Sequence, residues 1–320
     1  MAKRKVSRRD VLKGSGAAAL AVYASPVRAA APPAEAVTPA LIEAAKKEGK
    51  VVHYTSVDLP LAEKVARAFE AKYPGIAVRV ERSGAERNFT RIGQEQSSHI
   101  YACDVVQSSD ASHFVVWKRE GLLAPYVPEE VAKYYPDEHK DPDGTFASYR
   151  VYLCIMAYNT NLVKAAEAPK GFRDLLDPKW AGKIVKAHPG YSGTILTATY
   201  QTARDVGWDY YEKLAQQRVL QLQSASDPPK KLALGERAIM ADGIEYGIFQ
   251  LKEKGQPVEP IYAVEGSPLI IGPNGIGKST LLKLMVGAFP RLDEDTKKET
   301  LTPDKGEIRW GHETSVGYFA

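Results

Sequence analysis

Between residues 40 and 110 the apolar positions switch between two periods. Leu61, Val65 and Phe69 recur at helical spacing, which predicts a helix over 61–73 that stops at Pro74-Gly75. Short β-branched runs flank it at 50–55 and 76–80 and predict strands. Thr38-Pro39 predicts the start of an earlier helix over 40–48, and Gly49 its stop. A further helix is predicted near 87–96 and a strand at 103–106. Strand and helix alternating in this way predict an α/β fold, with a mostly parallel sheet covered by helices on both faces.

The second half repeats this logic less regularly. Residues 151–158 predict one strong strand, 172–178 a short helix and stop, and 184–186 another strand. Residues 190–194 open a helix that runs to about Val206. Helices at 208–217 and 230–234 and a strand at 237–241 complete the pattern. No fixed-period repeat is present.

Charge separates the N-terminus from the rest. The chain of 320 residues has a formal net charge of +4, but residues 1–30 hold seven Lys and Arg against Asp10 alone. The remaining body is therefore slightly acidic, with both signs interspersed, and has no electrostatic basis for binding nucleic acid or an anionic membrane. Ser7-Arg8-Arg9-Asp10-Val11-Leu12-Lys13 resembles the twin-arginine export signal. The alanine-rich stretch 14–25 behind it is too short to span a bilayer, and small residues around Arg28–Ala31 suit a signal peptidase. Export to the periplasm as a soluble protein without a membrane anchor is the expectation. Cys103 and Cys154 lie in apolar runs and read as small buried hydrophobes rather than a disulfide.

Several strings, in order over residues 40–276, carry a family resemblance. Ala66-Arg67-Ala68-Phe69-Glu70-Ala71-Lys72-Tyr73-Pro74-Gly75-Ile76, Gly121-Leu122-Leu123-Ala124-Pro125-Tyr126, Tyr158-Asn159-Thr160-Asn161-Leu162 and Asp174-Leu175-Leu176-Asp177-Pro178-Lys179-Trp180 are the clearest. They resemble the iron-type periplasmic solute-binding proteins, the ligand receptors of ABC importers. The resemblance implies two α/β lobes with a ligand cleft between them. Residues 31–150 form the first lobe and 151–254 the second, and 255–271 return to the first. It further implies a monomer that partners a membrane permease, is not an enzyme and requires no cofactor. A periplasmic sensor domain is the alternative with the same cleft.

Ligands of open α/β sheets sit beyond the carboxyl ends of strands. That rule selects Ser56 and Asp58 after the first strand, and Ser108 and Ser109 after the third. Tyr191, Ser192, Gly193 and Thr194 open a helix whose free N–H groups and hydroxyls suit an anion. Arg87, Asp227, Glu245 and Tyr246 are further candidates. Iron-binding relatives carry two adjacent tyrosines where this chain has Glu245-Tyr246, while Tyr210-Tyr211 reads as packing. The resemblance therefore favours a small organic or phosphorylated anion over ferric iron as cargo, and no metal ligand is assigned.

The tail differs in kind. Gly272-Pro273-Asn274-Gly275-Ile276-Gly277-Lys278-Ser279-Thr280 matches the phosphate-cradling P-loop pattern, with Gly272, Gly277, Lys278, Ser279 and Thr280 as its nucleotide-binding positions. Residues 272–320 resemble a fragment of an ABC-F type ATPase, which makes a P-loop ATP-binding protein the rival reading. The fragment holds 49 residues, too few for a domain with its own core, and ends before the other groups that phosphoryl transfer needs. A join of two genes, or of two assembly contigs, at the shared string 268–276 is the expected origin.

Overall fold

The computed structural model describes residues 31–276. The export signal and Gly277–Thr280 of the P-loop pattern lie outside the described residues.

The first α-helix, α1 (Pro39–Glu48), begins where Thr38 Oγ1 accepts the Leu41 N–H at 3.2 Å. It ends at Gly49, whose φ of +76° suits a residue without a Cβ. The chain continues through β1 (Lys50–Thr55), α2 (Leu59–Lys72), β2 (Ala77–Arg82), α3 (Ala85–Ser97), β3 (Val105–Gln107), α4 (Ala111–Arg119), α5 (Glu129–Tyr134) and β4 (Phe146–Leu153). In the second half come β5 (Met156–Asn159), β6 (Ile184–Ala187), α6 (Gly193–Val206), α7 (Trp208–Ala215), β7 (Leu220–Leu222), α8 (Asp227–Ala233), β8 (Ile239–Met240), α9 (Glu245–Glu253), β9 (Val258–Ile261) and β10 (Leu269–Ile276). Residues 172–176 and 178–180 are 3₁₀ turns, shorter than the predicted helix.

Two five-stranded sheets result, ordered β2-β1-β3-β10-β4 and β7-β6-β8-β5-β9. In the first, β1 is parallel to β2 and β3, and β10 is antiparallel to β3 and β4. In the second, β6 is parallel to β7 and β8, and β5 is antiparallel to β8 and β9. The architecture is α/β, as the sequence pattern predicts, with the two lobes that the resemblance implies. Each sheet is mixed rather than mostly parallel, with two parallel and two antiparallel pairings.

The single strand expected at 151–158 is in fact two, β4 and β5, one in each sheet. Cys154 and Ile155 between them donate backbone N–H bonds to Pro268 and Gly243, at 2.8 and 2.9 Å. Pro268 lies on the segment that carries the chain back, so the two crossings run side by side. Of residues 255–271, β9 belongs to the second sheet and only β10 rejoins the first.

Each lobe has its own core. Phe69, Tyr73 and Ile76 pack on one side of the first sheet, and Tyr54, Phe114 and Trp117 on the other. Trp180, Ile184, Tyr210 and Leu214 fill one side of the second, and Leu232, Met240 and Ile248 the other. Tyr152, Cys154, Ile195, Ile244 and Ile270 cluster where the chain crosses. Both cysteines are free thiols, and burial raises the pKa of each. No helix among the described residues is long and apolar enough to cross a membrane.

Candidate ligand cleft

The carboxyl ends of β1, β2 and β3 face the second lobe across a narrow cleft. Ser56 follows β1, Arg82 ends β2 and Ser109 follows β3, and all three line it. From the other side come Tyr191, Ser192 and Thr194 at the start of α6, residues 223–226, and Tyr246 near the start of α9. Arg150 and Tyr152, two positions apart on β4 and so on one face of it, form the wall beneath.

The lobes touch across this cleft. Arg82 Nη2 donates to Ser224 Oγ at 2.9 Å, and Arg87 Nη2 to Gln223 Oε1 at 2.7 Å. Tyr246 OH donates to Asp58 Oδ1 at 3.4 Å. Gly193, the first residue of α6, packs so closely that a Cβ there would lie 2.7 Å from Asp110 Cβ and 3.1 Å from Ala85 Cβ. Ser192 caps α6, accepting from the Ile195 N–H at 3.4 Å.

Arg150 is the centre of the polar wall. Its guanidinium carbon lies 4.7 Å from the ring centre of Tyr152, 5.6 Å from that of Tyr149 and 5.9 Å from that of Tyr246. Nη1 donates to Tyr246 OH at 3.3 Å, while Nε is buried without a hydrogen-bond partner. Tyr152 OH is 2.7 Å from Thr194 Oγ1. Burial raises the phenols of Tyr152 and Tyr246 above their ordinary range, despite the lowering effect of Arg150, so both stay protonated at neutral pH. A permanent cation, neutral hydroxyls and a helix N-terminus together form an environment for an anion.

The structure thus brings Ser56, Ser109, Tyr191, Ser192, Thr194 and Tyr246 together around one cleft, with Gly193 at the interlobe contact and Asp58 and Arg87 bonded across it. The other candidates lie elsewhere. Ser108 is buried behind the wall, where its Oγ is 3.0 Å from His113 Nδ1. Asp227 pairs with Lys230 on α8 at 3.4 Å, and Glu245 accepts from Tyr262 OH at 2.6 Å. Neither of the last two lines the cleft, because each is held by a neighbour on its own lobe. Tyr210 is core.

Gly272, the first glycine of the P-loop pattern, lies in a strand. It is a residue of β10 paired with Arg150 on β4, next to a bulge at Gly272/Pro273. A Cβ on it would lie 2.8 Å from Arg150 Cγ and Nε, so its small size makes room for the cleft arginine. Arg82, Arg150 and Tyr152 are not among the sequence candidates. Arg82 and Arg150 lie just beyond the predicted strands at 76–80 and 151–158, and Tyr152 lies inside the second, where it reads as an apolar strand residue. A cavity of about 720 Å3 is bounded by Ala31 and Ile276, the first and last of the described residues, and so defines no site.

The profile of bacterial extracellular solute-binding proteins matches residues 103–272, and that of the twin-arginine translocation signal matches residues 5–22. A Haemophilus influenzae protein without an assigned function is 25% identical over 239 residues, which span 71% of this chain and 68% of the relative. The Sinorhizobium fredii protein y4fP, named as a periplasmic-binding protein of an ABC transporter, is 24% identical over 63% of this chain and 58% of its own. Among solved structures, the periplasmic binding protein AfuA of Actinobacillus pleuropneumoniae, with exogenous fructose-6-phosphate bound, superposes with a TM-score of 0.68 at 26% identity. That match covers 75% of this chain and 78% of AfuA. Iron-bound HitA of Pseudomonas aeruginosa has the same fold, with a TM-score of 0.64 at 21% identity over 77% of this chain and 81% of its own. The tail has separate relatives, such as YdiF of Bacillus subtilis, named as an ATP-binding protein. It is 45% identical over 53 residues, which are 17% of this chain and 6% of YdiF.

Proposed function

The chain belongs to the bacterial extracellular solute-binding proteins, and on that basis we propose that it delivers a small phosphorylated organic anion to an ABC importer. A twin-arginine signal directs it to the periplasm. The observation that carries the choice of cargo is Arg150, a cleft guanidinium with a buried donor that nothing among the described residues satisfies. A buried charged donor left unpaired costs several kcal/mol, and a phosphate ester would accept from it in the forked geometry that arginine offers. Arg82 and the hydroxyls of Ser56, Ser109, Ser192 and Thr194 supply further contacts, and the α6 N-terminus favours negative charge. AfuA, with its bound sugar phosphate, gives the class of compound to try first. Ferric iron suits this cleft less, because the permanent charge of Arg150 beside the Tyr152 and Tyr246 rings repels a second cation. The protein acts by binding and release, with no chemical step and no cofactor, alongside a membrane permease.

Residues 272–320 are a fragment related to the ABC-F ATPases, joined to the receptor at a string both families share. On this reading Gly272–Ile276 serve the receptor as a strand, and the fragment hydrolyses no ATP.

Thermal denaturation of the full chain, with fructose 6-phosphate, other phosphate esters, ferric citrate and magnesium-ATP added in turn, tests the proposal. A phosphate ester should raise the Tm by several degrees at saturation. Arg150→Met should weaken that ester at least a hundredfold, as expected when a charge-assisted pair is removed. A shift with ferric citrate alone, or full affinity in Arg150→Met, would refute the cargo assignment.

A further inference from the structure

On the first-lobe wall, beside the cleft, three side chains converge that solute binding does not use. Glu86 lies in the first turn of α3, Asp110 caps α4, and His113 follows one turn later. One ligating atom from each lies within 4.8 Å of the others. His113 and Asp110 are buried and Glu86 is half-buried. Both oxygens of the Glu86 carboxylate stand 3.3 Å from His113 Nε2, and Asp110 Oδ2 stands 3.7 Å from it.

These separations are long for a charged hydrogen bond, which runs about 2.7–2.9 Å. They resemble instead the spacing of two ligands on one ion. Bonds of about 2.0–2.1 Å at a tetrahedral angle hold neighbouring ligand atoms roughly 3.4 Å apart.

Apart from the long His113 Nε2–Glu86 Oε2 contact at 3.3 Å, the bonds of each residue leave the converging atoms free. His113 Nδ1 is taken by Ser108 Oγ at 3.0 Å, and the ring is stacked on Phe89 at 4.4 Å between centroids, which aims Nε2 at the carboxylates. A second nitrogen held in this way is typical of histidines that ligate metal. Asp110 Oδ1 accepts from Ser112 N–H and Oγ at 2.8 and 2.7 Å, leaving Oδ2. Glu86 Oε1 is buried and makes no hydrogen bond. Among the described residues, no Lys or Arg nitrogen forms an ion pair with either carboxylate.

We propose that Glu86, Asp110 and His113 bind a divalent transition-metal ion of the Zn²⁺ class. One imidazole with two carboxylates suits Zn²⁺ better than Mg²⁺ or Ca²⁺, which prefer oxygen ligands alone. The site borders the interlobe contact, because Asp110 is the residue against which Gly193 packs. A cation here adds positive charge beside the α6 N-terminus and fixes the first-lobe side of the closing surface. It is separate from the cargo, and none of the cleft tyrosines takes part.

Titration calorimetry on the full chain, stripped by a chelator and free of solute, tests this with ZnCl2, MnCl2 and MgCl2. One Zn²⁺ per chain should bind with a Kd on the order of 1 μM, and Mg²⁺ at least a hundredfold more weakly. Glu86→Gln, a same-shape change at a half-exposed position, should weaken Zn²⁺ at least tenfold while the Tm stays within about 2 °C. His113→Ala should abolish the heat, and Arg150→Met should leave Zn²⁺ affinity unchanged. Equal Zn²⁺ affinity in Glu86→Gln and the unchanged chain, or no binding by the unchanged chain, would overturn the site. Neither result would affect the solute proposal, which the phosphate esters test separately.

Discussion

The Arg150 side chain occupies the space that Gly272 leaves open, so the first glycine of the P-loop pattern makes room for a cleft residue. Sequence reading could place Ser56, Ser192 and Tyr246 near a ligand because each follows a strand or opens a helix. It missed Arg150 because its neighbours across the sheet lie about 120 residues away in the chain. His53 on β1 shows a different kind of residue effect. Burial lowers its pKa from 6.5 to about 4, and its Nε2 has no hydrogen-bond partner. The unfolded chain therefore takes up a proton below pH 6.5 that the folded protein refuses. Stability should be full above that pH and fall as pH drops towards 4, by about 2–3 kcal/mol between pH 7.5 and 4.5. Denaturant unfolding at the two pH values checks this, with His53→Leu flattening the difference. Equal slopes in both proteins would show that His53 does not titrate as described.

At the level of elements, α6 does most to shape the cleft. Its cap, Ser192, was legible from the Gly190–Thr194 string, since a hydroxyl before an apolar periodic run is a helix start. What the string does not reveal is that Gly193 sits against Asp110 of the other lobe. Gly193→Ala should put a methyl group into that contact and hold the lobes apart. Affinity for the cargo should fall about tenfold, equivalent to 1.4 kcal/mol, with little change in the Tm of the solute-free protein. Calorimetry and the radius of gyration with cargo present check both halves, and unchanged affinity would mean the contact yields. The β4–β5 break was hidden for a related reason. Residues 151–158 are apolar throughout although β4 is an edge strand and β5 an interior one, so no polar position marks where one sheet gives way to the other.

For the whole molecule, two sheets with separate cores, joined by two adjacent crossings, provide a hinge and a cleft without any additional element. Closure rests on few contacts, chiefly Arg82–Ser224, Arg87–Gln223 and the Gly193 packing, which suits a receptor that must reopen. If the tail has no nucleotide role, Lys278→Ala should leave cargo affinity and the Tm unchanged, and magnesium-ATP should shift neither protein. A Tm rise with magnesium-ATP that Lys278→Ala removes would instead support the ATPase reading.

The sequence by itself determined the α/β class, the export signal, most helix and strand positions and six of the sixteen residues that line the cleft. Those features follow from local periodicity, caps and the rule that ligands meet strand ends. Tertiary structure alone decided where the chain crosses between lobes, that Gly272 is a strand residue beside Arg150, and that Glu86 meets His113. Each of these depends on which distant segments become neighbours across a sheet or between two helices. Hydrophobic spacing records only whether a position is buried, and leaves open which partner buries it.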